Sequence, residues 1–281
     1  MHYLSVQEVK EMCYNSTYHF KEYILDQKEV FPYNVQVLFD MAKEGRIRNE
    51  SINGFVRKNT SRLHILSKEA NLLTNTSEGF PIKIPKFPHF RTAEHLFQCI
   101  KLDQAKGDEI IEKQLLIIDQ TSGEGAKLMG DRKDDMRMFW RSAWVMKDWE
   151  MRDLPTNQYK EKHWVAVTEM VNALWYALLM KLGNNRKEFG KVLLKNGAVK
   201  QSPIVEISLD QRQPDTFWGT KVEPNGMLRG MNLAGKLLSR LRDLYRLELL
   251  QKKGSFNLLI VTPPFSIQII GGDIQSVDYN E

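Results

Sequence analysis

The chain has 281 residues, of which 42% are hydrophobic and 27% charged, and its formal net charge is +5. These values are typical of a globular protein with one main domain and appendages. The small excess of basic residues is compatible with binding to a polyanion such as DNA, but it does not require such a partner. No apolar run approaches the roughly 20 residues that span a membrane, and no secretory leader is evident at the start. Two cysteines exclude a disulfide framework and a cysteine-built metal site, so we expect a cytoplasmic protein.

The first part of the chain is predicted to be a helical N-terminal extension over residues 1–53. Apolar residues between positions 6 and 13 keep a helical period. A polar stretch ending in Asn53-Gly54 is typical of a turn and marks a boundary. Beyond it, the pattern indicates short extended segments at 55–57 and 63–66.

The next segment contains the clearest local signals. Prolines punctuate residues 80–88, which cannot be helical and are predicted to form an edge strand or an extended arm. Thr92 then has the position of an N-cap, with its hydroxyl accepting from a backbone N–H one turn on. Helices are expected after it, over 109–118 and over 126–130, with a glycine-containing break before the last of these.

The second half of the chain alternates charged and apolar stretches. Residues 131–163 are heavily charged and carry Trp140, Trp144 and Trp149, whose near-helical spacing favours a packing face over a base-stacking platform. The remaining predicted elements are a long helix over 162–182, a helix over 189–194, a strand over 203–207, a helix after Asn232 to about Leu250, and one or two strands in the tail.

Three polar residues of the helix after Thr92 form a line on one face. Glu94, Gln98 and Lys101 recur at i, i+4 and i+7. Glu94 falls where the helix dipole favours an anion, so it should be ionised near neutral pH unless burial opposes this. Such a carboxylate could hold a hydroxyl or a water. A first-turn glutamate that serves only the dipole is the alternative, and spacing alone leaves both open.

Two later stretches also contain residues that could take part in catalysis or in ligand binding. Asp215 would supply a second carboxylate beside Glu94, a pair suited to glycosidic hydrolysis through an oxocarbenium-like state. Trp218-Gly219 could stack on a base or sugar, and the glycine-rich stretch around Asn232 could bind a phosphate through backbone N–H groups. A buried loop tryptophan and an ordinary helix cap are the alternatives. Metal, P-loop, dinucleotide and serine-hydrolase signatures are absent, so we expect no metal and no cofactor.

The order of these motifs resembles that of a known family. Residues 91–98, Arg-Thr-Ala-Glu-His-Leu-Phe-Gln, together with Lys101, are similar to the signature of the NADAR (YbiA-like) family. Further motifs follow in the family's order, at 126–130, Trp164, 193–194, 204–206, 215–219 and 230–238 with Arg242. The resemblance implies a compact, mainly helical α+β domain over 54–250. The segment 131–163 is then an atypical insertion, and residues 1–53 and the tail 251–281 lie outside the family pattern.

The resemblance also implies an activity. Family members are N-glycosidases (EC 3.2.2 type) that hydrolyse the bond between ribose and a nitrogen base, among them enzymes that remove ADP-ribose from guanine in DNA. That reaction reverses the action of DarT-type toxins, and phage-encoded members serve as counter-defence, acting in the host cytoplasm. The expected partner is therefore ADP-ribosylated DNA or an ADP-ribosyl nucleoside. Hydrolysis of small phosphorylated N-glycosides of riboflavin synthesis, and ADP-ribose or nucleic-acid binding without catalysis, are the alternatives.

The resemblance also implies site residues, each at a position that matches one of the family's motifs. The resemblance implies Glu94 and Asp215 as catalytic carboxylates. The implied substrate-binding residues are Asn71, His95, Gln98, Lys101, Trp164, Trp218, Gly219 and Asn232. Thr168 stands where the family often has a lysine, so one basic contact is missing or supplied from elsewhere.

Overall fold

The computed structural model describes most of the chain and is mostly helical, with a few short antiparallel strands. The described residues are 3–14, 51–56, 63–65, 72–131, 135–141, 144, 161–195, 204–208, 217–222, 228–250 and 258–280. This composition is compatible with the predicted α+β class.

Seven α-helices lie in these ranges. They are α1 (Val6–Tyr14), α2 (Ala93–Ile100), α3 (Glu109–Ile118), α4 (Gly123–Gly130), α5 (Glu161–Asn184), α6 (Arg186–Lys195) and α7 (Leu233–Leu250). The strands are β1 (Ser51–Val56), β2 (Leu63–Ile65), β3 (Ile204–Ser208), β4 (Lys221–Val222), β5 (Leu228–Arg229), β6 (Ile260–Val261), β7 (Gln268–Ile269), β8 (Gly272–Asp273) and β9 (Val277–Asp278). All strand pairs are antiparallel.

The chain forms two compact units, each assembled from segments distant in sequence. The first comprises Met1–Val9, Asn75–Gly190 and Leu244–Glu281, and the second comprises Lys10–Thr74 and Lys191–Asp243. The predicted division of the chain into extension, catalytic domain and tail stays a prediction.

The first unit is built around α5. From Trp164 to Leu182 almost every side chain of this helix is buried, which explains why its apolar residues cover more than one face. Helix α2 packs against α3, α4 and α5. By length and composition alone α5 could cross a membrane, but 89% of its most apolar window is buried within the protein, and core helices meet the same criterion. The predicted helix over 162–182 is thus confirmed.

One charged residue lies inside this apolar helix. Lys181 is fully buried, its Nζ donates to Ser77 Oγ at 2.8 Å, and the same atom lies 4.4 Å from the ring centroid of Phe189 and 5.1 Å from that of Phe80. Burial lowers the pKa of Lys181 well below its ordinary value. At any pH at which Lys181 is neutral in the folded protein but protonated in the unfolded chain, its burial therefore lowers the free energy of unfolding.

Lys181→Met is expected to stabilise the protein at pH 7. The unfolded lysine titrates near pH 10.4, so wild-type stability falls as the pH drops below about 10 and levels off below the folded pKa. Methionine does not titrate, so the variant does not lose stability in this way as the pH falls. The missing hydrogen bond to Ser77 lowers its free energy of unfolding by about 1 kcal/mol. We expect the variant to be more stable than wild type at pH 7, measured by urea unfolding. By about pH 10.5 the gain should be gone, and the lost bond to Ser77 should leave the variant slightly less stable than wild type. Lys187→Met, on the exposed face of α6, is the control, and an equal gain at both pH values would contradict the burial argument.

The second unit contains a three-stranded sheet in the order β2-β1-β3. Its central strand pairs Asn53 with Glu206 on one side and Phe55 with His64 on the other. The turn predicted at Asn53-Gly54 is therefore wrong, because both residues lie inside β1. Pairing with two neighbouring strands outweighs the local turn preference of this dipeptide.

Two helices of the first unit, α2 and α4, begin at residues whose side chains cap them. The predicted cap at Thr92 is confirmed, since its side chain accepts from the backbone N–H of His95. Helix α4 begins at Gly123, three residues before its predicted start, because Ser122 Oγ caps it by accepting from the Gly125 N–H at 3.0 Å. A Cβ at Gly123 would lie 2.4 Å from the backbone of Thr76, so only glycine fits there.

Candidate active site

The first turn of α2 holds a buried carboxylate. Glu94 is 6% exposed, and its backbone N–H donates to the Asn75 carbonyl at 3.0 Å. Gln98 Nε2 donates to Glu94 Oε1 at 2.7 Å. The predicted alignment of these two side chains on one helix face is therefore present in the structure, as a direct hydrogen bond between them.

The pKa of Glu94 is set by opposing influences. Burial, the largest of them, raises it above the ordinary glutamate value. The charge of Lys127, the hydrogen bond from Gln98 and the charge of Lys101 lower the pKa, whereas the charge of Asp131 raises it. Burial thus opposes the ionisation that the position at the helix start favours. A buried carboxylate of raised pKa in a polar cluster is typical of a functional site.

Gln98 is held between Glu94 and the end of α4. Its side chain is 2% exposed, and its Oε1 finds no hydrogen-bond partner among the described residues. A Cβ at Gly130 would lie 2.1 Å from this oxygen. Glycine at the end of α4 is thus what lets the Gln98 amide lie flat against this helix with its nitrogen directed at Glu94.

Lys101, the third residue of this line, makes its contacts with other residues of the protein. Lys101 Nζ forms an ion pair with Asp131 Oδ1 and lies 3.7 Å from the ring centroid of Trp140. The indole Nε1 of Trp140 donates to the Gly130 carbonyl at 3.0 Å. Trp140 and Trp144 are 5% and 2% exposed, which confirms the predicted packing role for these two tryptophans; Trp149 lies outside the described residues.

His95 points away from the Glu94 line and fastens a loop. Its Nε2 lies 3.0 Å from the Gln120 carbonyl, and its Nδ1 lies 2.9 Å from Thr92 Oγ1. A carbonyl can only accept, so Nε2 carries the proton and Nδ1 accepts from the Thr92 hydroxyl. Burial lowers the pKa of His95, in keeping with this neutral form. Both ring nitrogens are occupied, and the predicted contact of His95 with substrate stays a prediction.

In the second unit, Asn232 joins a loop to the sheet. It has φ of +53°, its Oδ1 accepts from the Glu206 N–H at 2.8 Å, and its Nδ2 donates to the Ile204 carbonyl at 2.8 Å. Helix α7 starts directly after it, as predicted. The side chain of Asn232 bonds to β3 and not to its own helix, so the turn before α7 is fastened to the sheet.

The start of α7 directs its backbone N–H groups at the preceding loop. Those of Asn232, Leu233 and Ala234 donate to the carbonyls of Gly219, Phe217 and Trp218. These three N–H groups of the stretch considered for phosphate binding are therefore already used within the protein. The loop presents Trp218 half-buried, with its ring edge-on to that of Phe217 at a centroid distance of 4.8 Å.

The structure brings the predicted site residues together in two groups. Glu94, Gln98 and Lys101 are neighbours in the first unit. In the second, Trp218 and Gly219 precede β4, and the Asn232 N–H donates to the Gly219 carbonyl. Trp164 is 3% exposed at the start of α5, and the predicted residues Asp215 and Asn71 lie outside the described residues. Among the described residues, no group of three or more His, Cys, Asp or Glu side chains could hold a metal ion.

Comparison with known proteins identifies no relative. No family model matches the chain, and no curated protein or solved structure matches it significantly. The assignment of a function therefore depends on the residues of the site.

Sequence reasoning missed three residues that complete this site: Gly130, Asp131 and Trp140. Gly130 ends a predicted helix, and Asp131 and Trp140 lie in a segment interpreted as an insertion. The one available signal was Lys101, a cation that directly follows Cys99 and Ile100 and that needs a carboxylate or an aromatic ring when buried. Its partners are 30 and 39 positions away, beyond the range of local patterns.

Proposed function

We propose that the protein is an N-glycosidase that hydrolyses the ribose–base bond of an ADP-ribosylated base, with guanine in DNA as the expected carrier. The observation that supports this most is Glu94, a buried first-turn carboxylate that accepts a hydrogen bond from Gln98. The resemblance of residues 91–101 to the NADAR signature assigns the same residue as catalytic. We further propose that the mainly helical α+β fold is NADAR-like.

The reaction needs a negative group at the anomeric carbon. When the bond from C1′ to the base breaks, its electron pair stays on the base nitrogen and C1′ takes on oxocarbenium character. Water then adds to C1′, its hydroxyl stays on the ribose, and its second proton ends on the base. Glu94 would stabilise the cation and orient this water. Little solvent reaches Glu94, so its charge acts there through a low dielectric.

The remaining proposed roles rest on the motifs. By the resemblance, Asp215 would be a second catalytic carboxylate, and Trp164 and Trp218 would bind substrate through their rings. The +5 net charge favours a phosphorylated or polymeric substrate. The partner of the proposed enzyme is thus ADP-ribosylated DNA or an ADP-ribosyl nucleoside.

The test is incubation of the purified protein with ADP-ribosylated DNA. We expect unmodified base and free ADP-ribose, separated by chromatography and identified by mass. Turnover of a small phosphorylated N-glycoside instead would favour the alternative function, hydrolysis of intermediates of riboflavin synthesis. Tight binding of the modified DNA without release of ADP-ribose would replace the enzyme by a binding protein.

The expected pH dependence follows from burial. If Glu94 acts as an anion, activity is lost as the pH falls through its raised pKa. The acid limb of kcat should therefore lie above the ordinary range of a glutamate.

A further inference from the structure

The Lys101 ammonium already has two partners within the protein, a carboxylate and an aromatic ring. Its side chain is 8% exposed, while that of its ion-pair partner Asp131 is 43% exposed. The ring of Trp140 covers the ammonium at 3.7 Å. A substrate phosphate could reach Lys101 only by displacing both contacts.

The segment that carries Trp140 is fastened to the end of α2. The Arg141 N–H donates to the Lys101 carbonyl at 2.8 Å, and the Asp103 N–H donates to the Phe139 carbonyl at 2.8 Å. Arg141 Nε donates to the Ile100 carbonyl at 3.0 Å. These bonds hold the indole where it covers Lys101.

The same indole holds the end of α4. Its Nε1 bonds the Gly130 carbonyl, and Gly130 is the residue against which the Gln98 amide lies. Gln98 in turn donates to Glu94. A continuous set of contacts therefore runs from Trp140 through Gly130 and Gln98 to Glu94.

We propose that Lys101, Asp131 and Trp140 are positioning residues, which hold the Gln98 amide and the Glu94 carboxylate in place and do not bind substrate. This inference rests on the proposed function, since it assigns Glu94 the catalytic role. It replaces substrate binding as the role of Lys101.

The ion pair also acts on Glu94 through charge. The charges that bear on its carboxylate are those of Lys127 and Asp131 on and just after α4 and that of Lys101 at the end of α2. Lys101 and Asp131 have opposite signs, so their removal must move the titration of Glu94 in opposite directions. Asp131 is partly exposed, and solvent screens its effect. Its removal should therefore have the smaller effect.

The test compares Asp131→Asn and Lys101→Met in the full-length protein. Carbon NMR of labelled glutamate side chains follows the titration of Glu94, with Glu94→Gln to assign its signal. We expect a lower midpoint in Asp131→Asn and a higher one in Lys101→Met. Opposite shifts are the result expected when both charges act on Glu94. Shifts in the same direction, or no shifts, would mean that they do not and would overturn the proposal. Urea unfolding verifies that both variants are folded.

Kinetics provides the second measurement. For Lys101→Met we expect kcat to fall about 10-fold with KM unchanged within about twofold, since no contact with substrate is lost. A large rise in KM with kcat unchanged would instead make Lys101 a substrate ligand and overturn the inference. The NMR titration needs no turnover, so opposite midpoint shifts in a protein that releases no ADP-ribose would refute the proposed function and leave the action of the Lys101 and Asp131 charges on Glu94 standing.

Discussion

Glu94→Gln is expected to abolish activity and to stabilise the fold. The amide keeps the shape of the side chain and can still accept from Gln98, but it carries no charge for the oxocarbenium-like state. We expect kcat to fall by about 10³-fold or more. Release of ADP-ribose by the variant, measured against wild type at the same protein concentration, tests this.

The stability effect of the same variant depends on pH. Because the folded protein raises the pKa of Glu94, the ionised carboxyl weakens the fold at pH values above that pKa. Glutamine removes this penalty, so the variant should be more stable at pH 7 by about 0.5–2 kcal/mol. The gain should shrink as the pH falls towards about 4, where the wild-type carboxyl is protonated in both states. Urea unfolding at pH 7 and pH 4.5 measures the difference.

A control separates this role from that of an ordinary first-turn glutamate. Glu109 is exposed in the first turn of α3. Glu109→Gln should leave activity unchanged and cost up to about 1 kcal/mol, the value of a carboxylate at a helix N-terminus. If Glu94→Gln behaves like this control, Glu94 serves only the helix dipole and the catalytic assignment fails.

Gly235→Ala is expected to be strongly destabilising in the second unit. A Cβ there would lie 2.3 Å from the Ile204 carbonyl oxygen and 2.4 Å from Asn232 Oδ1. The first of these is backbone of β3, and the second is a side chain whose amide already bonds β3. Relief therefore requires α7 and β3 to separate. We expect a loss of about 2–3 kcal/mol in urea unfolding, in spite of the better helix propensity of alanine.

Gly125→Ala is the matched control for this prediction. Gly125 also lies in the first turn of a helix, but its added Cβ would meet only side-chain atoms, at 3.2 Å from Gln120 Oε1 and Ser122 Oγ. These atoms can move, so the change should be neutral or stabilise by up to about 1 kcal/mol. Equal losses in the two variants would show that any alanine in a first turn harms this protein and would contradict the close approach at Gly235.

Local chemistry made part of the site predictable. The proline-rich arm and the Thr92 cap locate the start of α2, and the period of the helix aligns Glu94 with Gln98. The same kind of signal located α5 to within two residues. These predictions succeeded because each depends on residues within about one or two helical turns of one another.

Predictions failed or fell short where distant segments intervene. Asn53-Gly54 has the chemistry of a turn, yet it lies in the central strand of a sheet whose third strand begins at Ile204. The glycine-containing break before α4 is in fact its first turn, because Ser122 caps it and Thr76 packs against Gly123. In β1 a partner far away in sequence outweighs a local preference. At α4 the distant residue Thr76 leaves room only for glycine, but the cap at Ser122 is a local signal that the prediction did not use.

The sequence by itself determined that a carboxylate, an amide and an ammonium share one face of a short helix that begins after Thr92. Only the tertiary structure decided what each of them can do. It buries Glu94, which raises its pKa, and places Gly130 against the amide of Gln98. It also pairs Lys101 with Asp131 under the ring of Trp140. Burial and ion pairing depend on which distant segments pack against the helix, and helical periodicity carries no information about those segments.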